Sequence, residues 1–394
     1  MSDMLFRTPR LDEHERRVVE QIEELKRSLG YALGTSPKRW QGLLRRNSLA
    51  RAVRGSNSIE GYNVTVDDAI AVAEGEAPLD ATDEARAAVE GYQSAMTYVL
   101  QLADDPHFTY SPDLVRSLHF MMLQHDLSKH PGKWRPGPIY VHDDERRVVV
   151  YEAPDAALVP ELVQELLVRL EATREPNRPP MVAAAMGHLN LVMIHPFSDG
   201  NGRMARCLQT LILARTGTLA PQFCSIEEYL GHNTRAYYDV LAEVGGGGWH
   251  PDRDARPWIR FCLTAHFRQA MTLLRRSREL SRLWNLVEEE VRLSGLPERV
   301  IYAVAEAALG IRVRNATYRG IAEVSEQIAS RDLKSAVDAG FLIATGERRG
   351  RYYGASDRLR ALREKTRETK SLEDPFDSRR IDDAPFLPGL ENAR

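Results

Sequence analysis

The order of apolar and polar positions divides the chain into stretches of different period. Up to about residue 290 the apolar residues recur mostly with helical spacing. EHERRVVEQIEELKRSL (13–29), TDEARAAVEGYQSAMTYVLQLA (82–103) and APDAALVPELVQELLVRLEAT (153–173) each gather them on one face and predict amphipathic helices. Between the last two lies IYVHDDERRVVVY (139–151), where Ile139 and Val141, then Val148 and Val150, alternate around a charged turn. That is the period of a β-hairpin. PGKWRPGP (131–138), just ahead of it, holds too much Pro and Gly for a helix. MVAAAMGHLNLVMI (181–194) is apolar on all sides and predicts a buried helix, which the His195-Pro196 pair ends. A second helix is expected over 203–215, a flexible loop at the GGGG of 245–248, and one or two helices over 255–290.

Beyond about residue 297 the spacing shortens. LPERVIYAVAEAAL, TYRGIAEV and SEQIASRDLKSAVDAG predict three helices; FLIAT and YYGAS, around the turn GERRGR, predict two strands. This is the order of a winged helix-turn-helix. The last thirty or so residues, charged and Pro-containing, read as a disordered tail. The expected division is an N-terminal helical region 1–110, a helical core 111–290 with its hairpin at 132–151, a winged-helix module 291–356 and a tail 357–394. The fold class is mainly α.

Composition narrows the function. The 394 residues have a formal net charge of −3, so the chain as a whole does not advertise nucleic-acid binding. Arg331 and Lys334, with Arg348, Arg349 and Arg351 in the wing turn, leave DNA as a candidate partner of the C-terminal module. The three Cys (207, 224, 262) form no CxxC pair and point to neither a zinc cage nor a disulfide framework. No run approaches a membrane span and the first residues lack an apolar core, so the expectation is a cytoplasmic protein.

The chemistry lies in HPFSDGNGRMAR (195–206), a corner between two buried helices. Gly200 and Gly202 let the backbone approach a ligand. The free N–H groups of the following helix form an anion site. Arg203 and Arg206, one turn apart, share a face there and suit a polyphosphate. Asp199 beside phosphates is a natural Mg²⁺ ligand. His195 has the pKa range of a general base, and Phe197 would anchor the loop inward. Far upstream, SNSIEG (56–61) puts Ser56 and Glu60 on one helical face, with Gly61 as the terminal residue. A carboxylate at a helix C-terminus needs a cation nearby.

The twelve residues of the corner match every fixed position of the Fic family motif, HPFx(D/E)GNGRxxR, and the resemblance extends over roughly residues 40–265. It implies an all-α core with a hairpin flap and transfer of AMP from ATP to a Ser, Thr or Tyr hydroxyl of a target protein. It implies His195 as base, Asp199 on Mg²⁺, and Gly200, Asn201 and Gly202 as the phosphate cradle. Arg203 and Arg206 would hold the β- and γ-phosphates, and the flap edge would pair with an extended segment of the target. Asn233, Tyr237 and Tyr238, in NTRAYY, resemble positions near the adenine, although Thr234 stands where the family usually has Arg. Ser56-Asn57-Ser58-Ile59-Glu60-Gly61 resembles the family's inhibitory motif, (S/T)xxxE(G/N). By that resemblance Glu60 pairs with Arg206 and displaces the γ-phosphate. Removal of AMP, transfer of another nucleotide, and a DNA-binding regulator with a vestigial pocket are the alternative functions; a second copy of the chain is a further candidate partner.

Overall fold

The computed structural model describes residues 4–34, 40–143, 147–172, 179–218, 225–347, 350–370 and 373–377. The expected helices form. Those expected at 13–29 and 82–103 are α1 (Glu13–Gly34) and α4 (Asp83–Gln101), with α2 (Gln41–Ile59) and α3 (Val66–Ala73) between them. Then follow α5 (Pro112–Leu123), the hairpin β1 (Tyr140–Asp143) and β2 (Val148–Glu152), α6 (Val159–Ala172), α7 (Pro180–Ile194) and α8 (Asn201–Arg215). Side-chain oxygens of Thr65, Thr82 and Ser111 accept from the first-turn N–H groups of α3, α4 and α5, which fixes where each helix starts.

The centre of the molecule is the antiparallel pair α7 and α8. Almost every side chain of both is buried, as the non-amphipathic sequence of 181–194 required. The expected helices of 255–290 are one helix, α11 (Arg256–Leu293), 38 residues long. It packs on both α1 and α7, so the core runs without a break from Leu5 to Leu362 and across residue 110.

Short helices α9 (Glu227–His232) and α10 (Thr234–Gly245) pack on α11, with α9 also against α2 and α10 also against β2. Helix α2 crosses α9 at a pair of glycines. A Cβ on Gly55 would lie 2.4 Å from the Glu227 carbonyl oxygen, and one on Gly231 would lie 2.7 Å from the Gly55 Cα. Both obstacles are backbone, so the helices can meet only because neither residue has a side chain. Gly55→Ala is therefore expected to cost about 1–3 kcal/mol of stability, the usual penalty for overpacking; the thermal melting temperature reads this directly.

The GGGG stretch is not a free loop. Gly245 ends α10 with its Cα against the Tyr151 ring, and the Gly247 carbonyl accepts from the Glu152 N–H at 3.1 Å. The absence of side chains, read from sequence as flexibility, serves here to bring the backbone against the hairpin. Gly246 and Gly247 have φ of +60° and +87°, which glycine adopts without strain.

After α11 come α12 (Val300–Ala308), α13 (Asn315–Ala322), α14 (Glu326–Asp338) and the antiparallel pair β3 (Leu342–Thr345) and β4 (Tyr352–Ala355). Val313 makes an isolated bridge to Tyr353. This part is fastened to the N-terminal helices by charge. Arg312 binds Asp67 at 2.6 Å and Asp80 at 2.8 Å, and Arg46 of α2 pairs with Glu74 at 2.9 Å and with Glu306. Of the cations expected to face DNA, Arg331, Lys334 and Arg351 are exposed and Lys334 is paired with Asp338; Arg348 and Arg349 lie outside the described residues.

The expected disordered tail begins instead with helix α15 (Asp357–Thr366). Ser356 caps it, and Leu359 and Leu362, one turn apart, bury against the core. The tail's charge masked that short apolar face, and its charges are themselves used: Arg363 binds Glu279 at 2.9 Å. Residues 378–394 lie outside the described residues.

Candidate active site

The corner 195–200 joins the two central helices. His195 ends α7 in the left-handed conformation, φ +51°, and this turns its ring out of the helical row. Arg135, which the sequence reading passed over, braces the turn. Its Nε donates to the His195 carbonyl at 2.8 Å, its main-chain N–H donates to the Pro196 carbonyl at 2.9 Å, and its guanidinium also reaches the Gly137 carbonyl at 2.7 Å. Phe197 points inward and lies flat on the His119 imidazole, ring centroids 3.6 Å apart. Asn201 closes the loop on itself: its side chain accepts from the Phe197 N–H at 2.9 Å and donates to the Phe197 carbonyl at 2.8 Å. Gly200 has φ +76°, and a Cβ there would meet the Leu123 side chain at 2.8 Å.

His195 Nδ1 faces the Val192 carbonyl at 3.2 Å. With that proton on Nδ1, Nε2 is left with its lone pair. Burial pushes the imidazole down to about 4, so it is neutral near pH 7 and can accept a proton.

Arg206 is where the segment 56–61 meets α8. Its side chain is 1% exposed. Nε donates to Ser56 Oγ at 2.7 Å, and Nη2 donates to Glu60 Oε1 at 2.6 Å and to the Ser56 carbonyl at 3.2 Å. Burial works against its charge, but the Glu60 carboxylate beside it holds it well above the ordinary range. Glu60 is the C-cap of α2, and Gly61 follows at φ +84°. The misplaced carboxylate at a helix C-terminus thus has its cation. Gly202 makes room for the pair, since a Cβ there would stand 2.5 Å from Glu60 Oε1.

Arg206 Nη1 and both Nε and Nη1 of the equally buried Arg203 meet no acceptor with hydrogen-bond geometry among the described residues, although the Tyr237 hydroxyl lies close enough to Arg206 to interact with it. Buried guanidinium N–H groups without acceptors are costly. Three of them near a helix N-terminus are placed where an anion would be stabilised.

His195, Gly202, Arg206, Glu60, Tyr237 and Tyr238 line one cavity of about 670 Å³, together with Val141, His142 and Asp143 of the hairpin. The hairpin is held to this wall through Tyr151, whose hydroxyl donates to the Met193 carbonyl at 2.7 Å, two residues before His195. Its register shifts between Val141 and His142. Tyr237 is a floor residue, its hydroxyl 3.0 Å from His188 Nε2, while Tyr238 is half-exposed at the rim. Asn233 is not on the wall: its amide donates to the Tyr229 carbonyl at 2.8 Å between α9 and α10.

Asp199, like Gly200, Asn201 and Arg203, is not among the residues lining that cavity. Oδ1 accepts from the Gly200 N–H at 2.6 Å and Oδ2 lies 2.8 Å from Lys129 Nζ. Burial raises its pKa, but the bond and charge of Lys129, with the charge of Arg203, win and hold it below the usual carboxylate range. Lys129, Tyr62 and His119 escaped the sequence reading. Lys129 sits in an irregular loop with no motif around it, and His119 on an apolar helix face reads as core.

Four imidazoles respond to acid together, three of them buried and His195 partly open to the cavity. Burial pushes His119 and His195 down to about 4 and His188 and His266 down to about 3. The unfolded chain binds these protons at about 6.5, so their stabilisation is complete above that pH and is lost as pH falls from 6.5 toward 4. The loss by pH 5.5 is about 1 kcal/mol for each imidazole. The melting temperature should therefore drop markedly between pH 7.5 and 5.5.

A helical core with a His–Pro corner, two buried arginines in the first turns of the following helix and a hairpin beside them is the arrangement that the resemblance to the Fic family implies. Residues 109–213 match the model of the Fic/DOC family. A Nematostella vectensis protein named protein adenylyltransferase Fic is 28% identical over 219 residues, which cover 52% of this chain and 44% of that one. One of the same name from Aedes aegypti is 37% identical over 118 residues, 30% of this chain and 21% of that one. The chain thus spans less than half the length of these curated relatives. A solved Fic family protein from Desulfovibrio desulfuricans shares the fold at TM-score 0.57 and 21% identity, covering 89% of this chain and 98% of that one.

Proposed function

We propose that the chain is a protein adenylyltransferase, moving AMP from ATP to a Ser, Thr or Tyr hydroxyl, and that Glu60 restrains it. The observation that carries this reading is the meeting of a neutral His195 with Arg206 in one cavity beside the hairpin. His195 Nε2 takes the proton of the hydroxyl. The hydroxyl oxygen bonds to the α-phosphorus, the bond from that phosphorus to the β-bridging oxygen breaks, and pyrophosphate leaves. The N–H groups of Arg203 and Arg206 hold the β- and γ-phosphates, with the Gly200-Asn201-Gly202 backbone beneath them. Position and charge supply the catalysis.

The donor set fits a divalent cation of the Mg²⁺ kind: one ionised carboxylate, Asp199, next to a polyphosphate cradle. Mg²⁺ there would neutralise phosphate charge. An extended segment of the target would lie along the exposed hairpin edge.

Glu60 and a γ-phosphate compete for the same guanidinium, and while Glu60 holds it, ATP cannot seat productively. Because Glu60 lines the same cavity as His195, it could also orient a water on an AMP–protein bond, which favours reversal as the second reading.

The test uses the Glu60→Gly chain with ATP labelled on the α- or the γ-phosphate. Label retained on protein from the α-position alone supports adenylyl transfer. Label from the γ-position means phosphoryl transfer and rejects it.

A further inference from the structure

We propose that Lys129 is a built-in rival of the divalent cation at Asp199, held in place by Tyr62. The proposal deepens the reading of the site given above and rests on it for the role of Asp199.

Lys129 Nζ lies 2.8 Å from Asp199 Oδ2 and donates to the Tyr62 hydroxyl at 3.1 Å. Oδ1 already accepts from the Gly200 N–H, so Oδ2 is the less committed oxygen, and the ammonium sits on it. A divalent cation at Asp199 therefore meets the charge of Lys129 and competes with it for the carboxylate.

The pairing is positioned by the fold. Lys129 ends the short turn Leu127–Lys129, and His130 then turns the chain in the left-handed region at φ +51°. The loop is pinned where the Gly132 N–H donates to His119 Nδ1 at 2.9 Å, and Nε2 of the same imidazole meets the Asp199 carbonyl at 2.8 Å. One buried histidine thus fixes both the segment that carries the ammonium and the segment that carries the carboxylate.

Tyr62 links this pair to the inhibitory helix. It comes two residues after Glu60, and the Arg203 guanidinium lies 5.1 Å from its ring centroid. One short segment therefore meets three cations of the site: Glu60 takes Arg206, while Tyr62 lies against Arg203 and holds Lys129 on Asp199. The segment restrains the γ-phosphate contact with one residue and the metal position with the other.

The test is a titration of the full chain with Mn²⁺, free Mn²⁺ being followed by electron paramagnetic resonance. It is run with an ATP analogue carrying a methylene between the α- and β-phosphates. K129M is expected to bind Mn²⁺ about fivefold more tightly than wild type, the scale of a partly exposed ion pair. K129R, which keeps the charge, should stay near wild type, and Y62F should fall between them. Equal or weaker binding by K129M, with binding lost in D199N, overturns the proposal alone; weaker binding would make Lys129 a phosphate ligand. Unchanged binding in D199N removes the metal role of Asp199 and takes the proposal with it.

Discussion

Replacing Glu60 with glycine is expected to raise self-labelling from labelled ATP about a hundredfold over wild type. The figure follows from the contact removed, because a hydrogen bond between charged partners is worth about 1.5–3 kcal/mol and about 2.7 kcal/mol is a hundredfold in an equilibrium. The contact is a 2.6 Å bond to a guanidinium that is 1% exposed, with a carboxylate whose side chain is 21% exposed, so solvent screens it little. Glycine also leaves Arg206 its Ser56 partners, so the guanidinium stays in place to meet a phosphate. The helix that carried Glu60 remains tied down through the Gly55 crossing and through Arg46. The substitution should therefore change activity far more than melting temperature. No gain over wild type would remove Glu60 as the restraint.

His195→Ala in the same background is expected to lower the rate by about a hundredfold to ten-thousandfold, the range of general-base removal. The residue sits at φ +51°, where alanine is disfavoured by about 1–2 kcal/mol. A fall in activity could then be mistaken for a loosened corner. His195→Asn separates the two, since asparagine tolerates that conformation but offers no comparable base. Both variants should lose transfer, and the Asn variant should keep the wild-type melting temperature. Activity retained by the Asn variant would show that another group takes the proton.

The helical core and the hairpin were legible because period alone distinguishes a 3.6-residue repeat from alternation, and both ran long enough here to be read. The twelve residues from His195 stand out in the sequence because their types are costly to place together without a ligand. That Glu60 needed a cation followed from its position at a helix end; that the cation is Arg206 came only with the family resemblance, and the structure has the two in contact. Less was visible where a residue's use depends on what the fold brings to it. Lys129 is one lysine in an irregular loop until His119 sets it against Asp199. The four glycines read as slack, yet Gly245 and Gly247 are where the hairpin docks. Two leucines in a charged tail were too few to show a helix by composition. Asn233 sits in a string like the family's, but its amide is spent between two helices.

The central claim is that the corner transfers adenylyl groups and is held shut by Glu60. Intact-mass measurement tests it most directly, on the wild-type chain, the Glu60→Gly chain and the chain carrying both Glu60→Gly and His195→Asn, each after incubation with ATP and Mg²⁺. The account predicts a gain of one or more adenylyl groups in the Glu60→Gly chain, little in wild type and none in the double variant. An unchanged mass in the Glu60→Gly chain, or an equal gain in all three, would contradict it.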